Sequence, residues 1–439
     1  MTRSTAFRRG AVVLLAAVAL VAADEAPAQS LFSTGGLGLV HDPQDARSHA
    51  LGGTSLGLAG PELSWDNPAG AVGLPAAGLR VSFQLDQYDA SFSGRSSAAS
   101  TARFPLIMGA FPFGSRWVVT AGFAGFLDQN WAFEQGDTLL IGGDSIAVLD
   151  RFTSEGGASR FRVGAGYALH PSLSVGLGAE LFTGGSERVA GRIFPGQAAP
   201  TCCSASWSYS GTGLVGSVDW SPSDAVTLAV AGSAGGTLTA EATSGAELVD
   251  RSYDLPMMLN TGVTGRVAPG VLVTLGGQWS GWSSLDGALS EQGGARDSWS
   301  MQGGAELESF QLFGQPLPIR VGVRREQLPF RFNGEGNDWA DETSFTGGTG
   351  LILAGGAARL DVSAERGSRG SDAAGLEENY WRFLFSATVL GRFSAPTREW
   401  FTQSFAQPTP AQLGAWDAVA RDEHALVVAP TGSGKTLSA

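Results

Sequence analysis

Apolar and polar residues alternate with a period of two over much of the chain, most clearly in the stretch 380–393, YWRFLFSATVLGRF. Trp381, Phe383, Phe385, Ala387, Val389, Gly391 and Phe393 share one face of an extended strand, and Arg382, Ser386, Thr388 and Arg392 share the other with Leu384 and Leu390. The same alternation sets Arg359, Asp361, Ser363 and Glu365 against Leu360, Val362 and Ala364, and Ser298, Ser300, Gln302, Glu306 and Glu308 against Trp299, Met301, Ala305 and Leu307. One face suits hydrocarbon and the other a wet lumen. Only a closed sheet leaves no unpaired edge in lipid, so the predicted fold is all-β, a transmembrane antiparallel barrel.

Fourteen strands are predicted, near 77–90, 100–111, 116–133, 158–170, 172–183, 205–220, 224–241, 250–267, 271–284, 296–311, 317–329, 342–354, 357–368 and 380–393. Small residues blur the two faces of 205–220 and 224–241, which leaves counts of twelve and sixteen open. Long connections (91–99, 134–157, 184–204, 242–249, 285–295, 330–341, 369–379) alternate with short ones. Outer-membrane barrels have long outer loops and short periplasmic turns. With fourteen strands both barrel ends fall on the short-turn side. A soluble β-sandwich would also alternate, but arginines on the inward parity favour the barrel.

The chain has 439 residues, 63 glycines and a net charge of -13, an acidity that argues against a nucleic-acid surface. Arg3, Arg8 and Arg9 precede an apolar run over 11–23 and Ala26-Pro27-Ala28, the layout of a secretory signal peptide over 1–28, cut after Ala28. Residues 29–76 are too apolar for a linker and too broken for a wall; they are expected to form a plug carrying the turn Ser64-Trp65-Asp66-Asn67-Pro68-Ala69-Gly70. Cys202 and Cys203 form either a vicinal disulfide or two loop thiols. His41, His49, His170 and His424 are scattered, and no catalytic constellation or metal set has a usable spacing, so no enzyme activity, cofactor or metal is expected.

With these features the region 29–393 resembles the FadL-type outer-membrane transport family, whose members import long-chain fatty acids or small aromatic hydrocarbons. The resemblance rests on the signal peptide, the Asn67-Pro68-Ala69 triplet before the wall, fourteen strands and the terminal aromatic Phe393, a signal for barrel assembly. It implies a barrel over 77–393 blocked by an N-terminal hatch, passive passage of hydrophobic cargo, and a way out past the hatch or a kinked strand. Phe126, Phe182 and Trp282 share the inward parity and are candidate lumen contacts, either for cargo or as filler against the hatch. Partners on this reading are outer-membrane lipid, the cargo, and the barrel assembly machinery during biogenesis. A related group of barrels with the same triplet serves as shuttle or attachment component for exported proteins, and supplies the alternative function.

The tail 394–439 breaks the register. Its end, Ala429-Pro430-Thr431-Gly432-Ser433-Gly434-Lys435-Thr436, holds the one lysine of the chain and resembles motif I of superfamily-two helicases, where Gly432, Gly434, Lys435 and Thr436 would cradle phosphate. Gln412 stands where the adenine-reading glutamine of the Q motif would, and the whole tail resembles the opening of an Lhr-type helicase. No acidic magnesium motif or second motor domain follows. The expectation is a non-functional fusion with a neighbouring helicase gene, or an assembly artefact.

Overall fold

A computed structural model describes residues 30–391, apart from 61, 93–94, 114–115, 197–200, 246–248, 291–292, 313, 333–338, 354–355 and 372–374. The chain divides into two compact units, Met1–Leu390 and Gly391–Ala439, and the account below concerns the first. The signal peptide 1–28, Phe393, and the tail with Gln412, Gly432, Gly434, Lys435 and Thr436 lie outside the described residues.

Fourteen wall strands are present among the described residues: β1 (Gly78–Phe92), β2 (Arg95–Phe113), β3 (Trp117–Asp128), β4 (Asp144–His170), β5 (Leu173–Ile193), β6 (Thr201–Ser223), β7 (Val226–Gly235), β8 (Met257–Ala268), β9 (Val271–Ser280), β10 (Ser298–Leu307), β11 (Ile319–Gln327), β12 (Asp341–Leu353), β13 (Ala358–Ser371) and β14 (Leu376–Leu390). Each pairs antiparallel with its neighbours in chain order. β1 closes on β14 from Gly78↔Leu390 to Ser91↔Glu377, so the sheet is a complete cylinder. Alternation dictates the faces: along β14, Trp381 and Val389 are exposed while Leu384, Ser386 and Thr388 are buried. Arg80, Arg320, Asp361 and Glu365 likewise face inward and are almost fully covered.

Several expected loops are strands. β2 starts at Arg95 and β1 ends at Phe92, so strand takes up most of the connection expected over 91–99. The expected loop 134–157 is a hairpin: Trp131–Ile141 pairs with the first half of β4, from Trp131↔Ser154 to Ile141↔Asp144. β5 and β6 run through most of 184–204, and β13 and β14 through most of 369–379. Both faces of a strand meet water beyond the bilayer, so no alternation marks it; Trp131–Ile141 is exposed or half-buried throughout. The spans expected over 224–241 and 250–267 each break in two, with Thr237–Ser244 and Arg251–Asp254 pairing above the wall. β9 ends at Ser280, and Trp282 belongs to a short 3-10 helix, Trp282–Leu285, instead of a strand. Tyr380, at the start of the stretch 380–393, is fully buried and donates its hydroxyl to Glu342 at 2.6 Å. Cys203 is disulfide-bonded.

Residues 30–77 lie inside the cylinder. Ser30 meets the outer end, where its hydroxyl donates to Glu378 at 2.6 Å, and the chain descends to the start of β1. Asp45 caps the one-turn helix Ala46–Ala50 by accepting from Arg47 N at 2.9 Å. Wall glycines make room for this segment. A Cβ on Gly304 would stand 2.7 Å from Leu51 Cα, one on Gly348 2.7 Å from Ala50 Cβ, and one on Gly176 2.6 Å from Ala69 N.

Candidate functional site

The lumen has three layers. At the short-turn end the hatch is held by charge. Glu306 accepts from Arg47 Nη2 at 3.0 Å and also from Arg320; Arg320 reaches Asp361 at 2.8 Å; Arg359 reaches Asp361 at 2.6 Å and Glu62 at 2.9 Å. Arg80 pairs with Asp45 at 3.0 Å and with Glu62, which also accepts from Arg47 at 3.0 Å. The wall contributes three guanidiniums (Arg80, Arg320, Arg359) and two carboxylates (Glu306, Asp361), and the hatch one guanidinium (Arg47) and two carboxylates (Asp45, Glu62). The wall set is therefore +1, the hatch set −1, and only together are they neutral. Burial pushes the Glu62 carboxyl up, but Arg359, Arg80 and Arg47 around it win and hold it well below the usual carboxylate range.

The Asn-Pro-Ala triplet forms a second anchor. Asn67 Nδ2 donates to Asp219 at 3.0 Å, Ala69 N donates to Ser217 Oγ at 3.1 Å, and Pro68 opens the 3-10 turn Pro68–Ala71. A Cβ on Gly166 would stand 2.7 Å from Pro68 O. The triplet thus wedges the hatch against β4, β5 and β6. Next to it Trp65 is covered by Arg162 and Arg160, whose guanidinium carbons lie 4.4 and 5.5 Å from its ring centre.

Above this floor lies a cavity of about 90 Å³, bordered by His41, Asp42, Asp66, Arg160, Glu326 and Glu342 among others. It has room for a few waters and the polar partners to hold them. Asp66 accepts from Ser55 at 3.0 Å; burial, with Asp42 nearby, pushes its carboxyl up to about 6.

The outer layer is aromatic. The structure brings Phe126, Phe182 and Trp282 together: the Phe126 ring lies 5.0 Å from Phe182 and 6.2 Å from Trp282, and Phe330 packs on Trp282 at 5.1 Å. Tyr209, Leu238, Leu285 and Leu289 complete a buried cap across the outer end. Phe126 is the extra residue where the β3–β4 register shifts between Gly125 and Leu127, and the bulge lets both Phe126 and Leu127 point inward. Sequence parity alone misses Phe330 and the 3-10 helix, because neither lies on an alternating strand.

One part of the wall ladder is incomplete. β2 pairs with β3 only from Leu106↔Ala124 to Phe113↔Trp117, so the last residues of β3 have no partner from β2. The hatch supplies it: Leu39↔Asp128 and Val40↔Leu127 form a two-residue antiparallel strand. Arg103 on β2 reaches across to Asp128 at 2.9 Å.

The profile of the BamG family matches residues 6–243, more than half of the chain. The chain belongs to the BamG family. Its barrel has the FadL-type fold. It is similar to a Pseudomonas aeruginosa FadL homologue (TM-score 0.57, 12% identity, 80% of this chain and 99% of that one) and to the Ralstonia pickettii toluene transporter TbuX (TM-score 0.55, 16% identity, 80% and 98%). The family and the closed barrel with its apolar outward face place the protein in a bacterial outer membrane. Among curated proteins, the Lhr helicase/probable uracil glycosylase of Mycolicibacterium smegmatis is 66% identical over 53 residues, and that of Escherichia coli 62% over 47. These matches span 12% and 11% of this chain, but only 4% and 3% of the helicases, which is consistent with a fused fragment.

Proposed function

We propose that the protein lets hydrophobic compounds cross the outer membrane, gathering them in the aromatic cap and releasing them sideways through the wall. The observation that carries this reading is the place of the cap: Phe126 and Leu127 sit where the β2–β3 ladder has stopped and the hatch strand Leu39–Val40 stands in for it. The straight path toward the periplasm meets a water-sized charged cavity and then the ion-paired hatch, an unfavourable environment for hydrocarbon. Sideways release needs only a two-residue strand to shift. Long-chain fatty acids and small aromatic hydrocarbons are the candidate cargoes.

Proteoliposomes test it with toluene and oleate side by side. Val40→Cys with Leu127→Cys, which face each other across the gap, would lock the hatch strand when oxidised. Uptake above protein-free vesicles that stops on oxidation and returns on reduction supports the reading. Uptake indifferent to the lock removes the lateral route, and no uptake of either compound removes transport.

A second reading is favoured by the sheet that continues above the wall: among the described residues, Trp131–Ile141 pairs on one edge only, with the first half of β4. An unpaired edge is a template for another strand. On this reading the barrel binds an exported or membrane protein, and the family name points to the barrel assembly machinery as the partner. Recovery of a stoichiometric protein partner, lost when Thr138 on that edge is changed to proline, would favour it over transport.

A further inference from the structure

The aromatic girdle at the periplasmic end is one-sided. Phe111 and Phe113 end β2, Trp117 starts β3, and Tyr167 and Trp220 stand near the ends of β4 and β6; Trp117 and Tyr167 stack with ring centres 4.4 Å apart. Among the described residues, no Trp, Tyr or Phe occupies the four positions nearest the short turns on β7 to β14 or on β1. Such rings anchor a barrel at the lipid–water boundary, and a girdle confined to one arc leaves the opposite arc without anchors.

Among the described residues, the one elaborated periplasmic connection lies on that opposite arc. The girdle centres on β4, and seven strands further round the fourteen-stranded cylinder is β11. Between β10 and β11 the chain forms a small hairpin, with Gln311↔Pro316 and Leu312↔Gln315 paired, Leu317 N donating to Phe310 O at 2.9 Å, and Gly314 turning at φ +75°. Its base is fixed by Glu308 N donating to Gly270 O at 2.8 Å and by the Arg266–Glu308 pair at 2.8 Å. From Ser309 to Pro318 there is no charged residue. Phe310 is 52% exposed and Leu312 41%, and the strands that the hairpin joins carry the exposed Leu307 and Val321.

We propose that this hairpin rests on the periplasmic leaflet of the outer membrane, with Phe310 and Leu312 at the headgroup–acyl boundary, supplying the arc of anchors that the girdle lacks. The occupant of the surface is phospholipid. Attachment to wall strands that carry exposed apolar residues, absence of charge and position opposite the rings all lead there. The hairpin would fix the tilt of the cylinder, since anchors on both sides resist rocking that anchors on one side permit.

The test uses the full protein in phosphatidylethanolamine–phosphatidylglycerol vesicles. The described residues hold no free cysteine, so a nitroxide can be placed on Phe310→Cys, with Leu312→Cys as a second reporter and Asp224→Cys, in the exposed β6–β7 turn, as the aqueous control. Collision of the label with oxygen, which concentrates in lipid, is compared with collision with a water-soluble nickel chelate. The oxygen-to-nickel ratio at 310 and 312 is expected to exceed that at 224 severalfold. A ratio at both positions equal to that at 224 would place the hairpin in water and overturn the proposal. Labels that are wet in pure lipid but shielded in native outer-membrane fragments would overturn it too, by assigning the surface to a protein.

Discussion

The two ends of one lumen are built on opposite chemistries. At the periplasmic end, inward positions of the wall carry Arg80, Glu306, Arg320, Arg359 and Asp361, which reach neutrality only with Asp45, Arg47 and Glu62 of the hatch. At the outer end, inward positions carry Phe126, Phe182 and Tyr209, which pack on one another, on Trp282 and Phe330, and on Leu37 and Val40 of the hatch. The same alternating strands supply both. An ionic floor is specific and brittle, because removing one charge strands another in a dry place. An aromatic cap is adaptable, because it loses area in proportion to what is removed. The floor therefore suits a segment that stays, and the cap suits contents that change.

The largest effect should come from the floor. Glu306→Gln leaves both Arg47 and Arg320 short of a carboxylate and should cost about 3–5 kcal/mol, seen as a lower unfolding midpoint in detergent and faster proteolysis of the hatch. No change in either would mean that charge does not hold the hatch. Trp282→Ala in the cap should cost about 3 kcal/mol but leave hatch proteolysis unchanged, and it should alter uptake of hydrophobic compounds. Loss of hatch protection in that variant would erase the distinction between the layers. Gly322→Ala puts a methyl 2.5 Å from Leu51 C, and should cost about 1–3 kcal/mol by overpacking the hatch–wall contact. An equally stable variant with the hatch still protected would show that the contact yields.

The smallest effect is a pH dependence. The folded protein holds the Asp66 proton more tightly than an unfolded chain does, with its carboxyl at about 6 against an ordinary value near 3.8. The ionised form therefore costs stability, which should be recovered as pH falls from 7 through about 6 and level off near the ordinary value. Asp66→Asn should gain about 1 kcal/mol at pH 7.5 and flatten the difference between pH 7.5 and 5, measured against the parent protein. A parent and variant with identical pH profiles would remove Asp66 from the account.

The wall was legible because hydrocarbon on one side and water on the other force a period of two; all fourteen strands lie in the expected order. Where that pressure ends, the sequence lost its voice: Trp131–Ile141 is wet on both faces and reads as loop. Parity also identified Arg359 as inward, but not what it faces. Arg47 and Glu306 are 259 residues apart, and no local pattern joins them. Charged residues such as Arg47, Asp45 and Glu62 inside a glycine-rich plug were the available sign that the lumen answers them. The wall glycines at 176, 304, 322 and 348 gave no sign of their own, since closeness to another segment leaves no periodicity.

The closure of β1 on β14 has a consequence for biogenesis. Residues 30–77, made before the wall, end up enclosed by a ring whose last stave is made hundreds of residues later, so the contents must be loaded before the ring shuts. A shortened protein starting at β1 would close around nothing, and cells carrying it should admit bulky antibiotics that the intact protein keeps out.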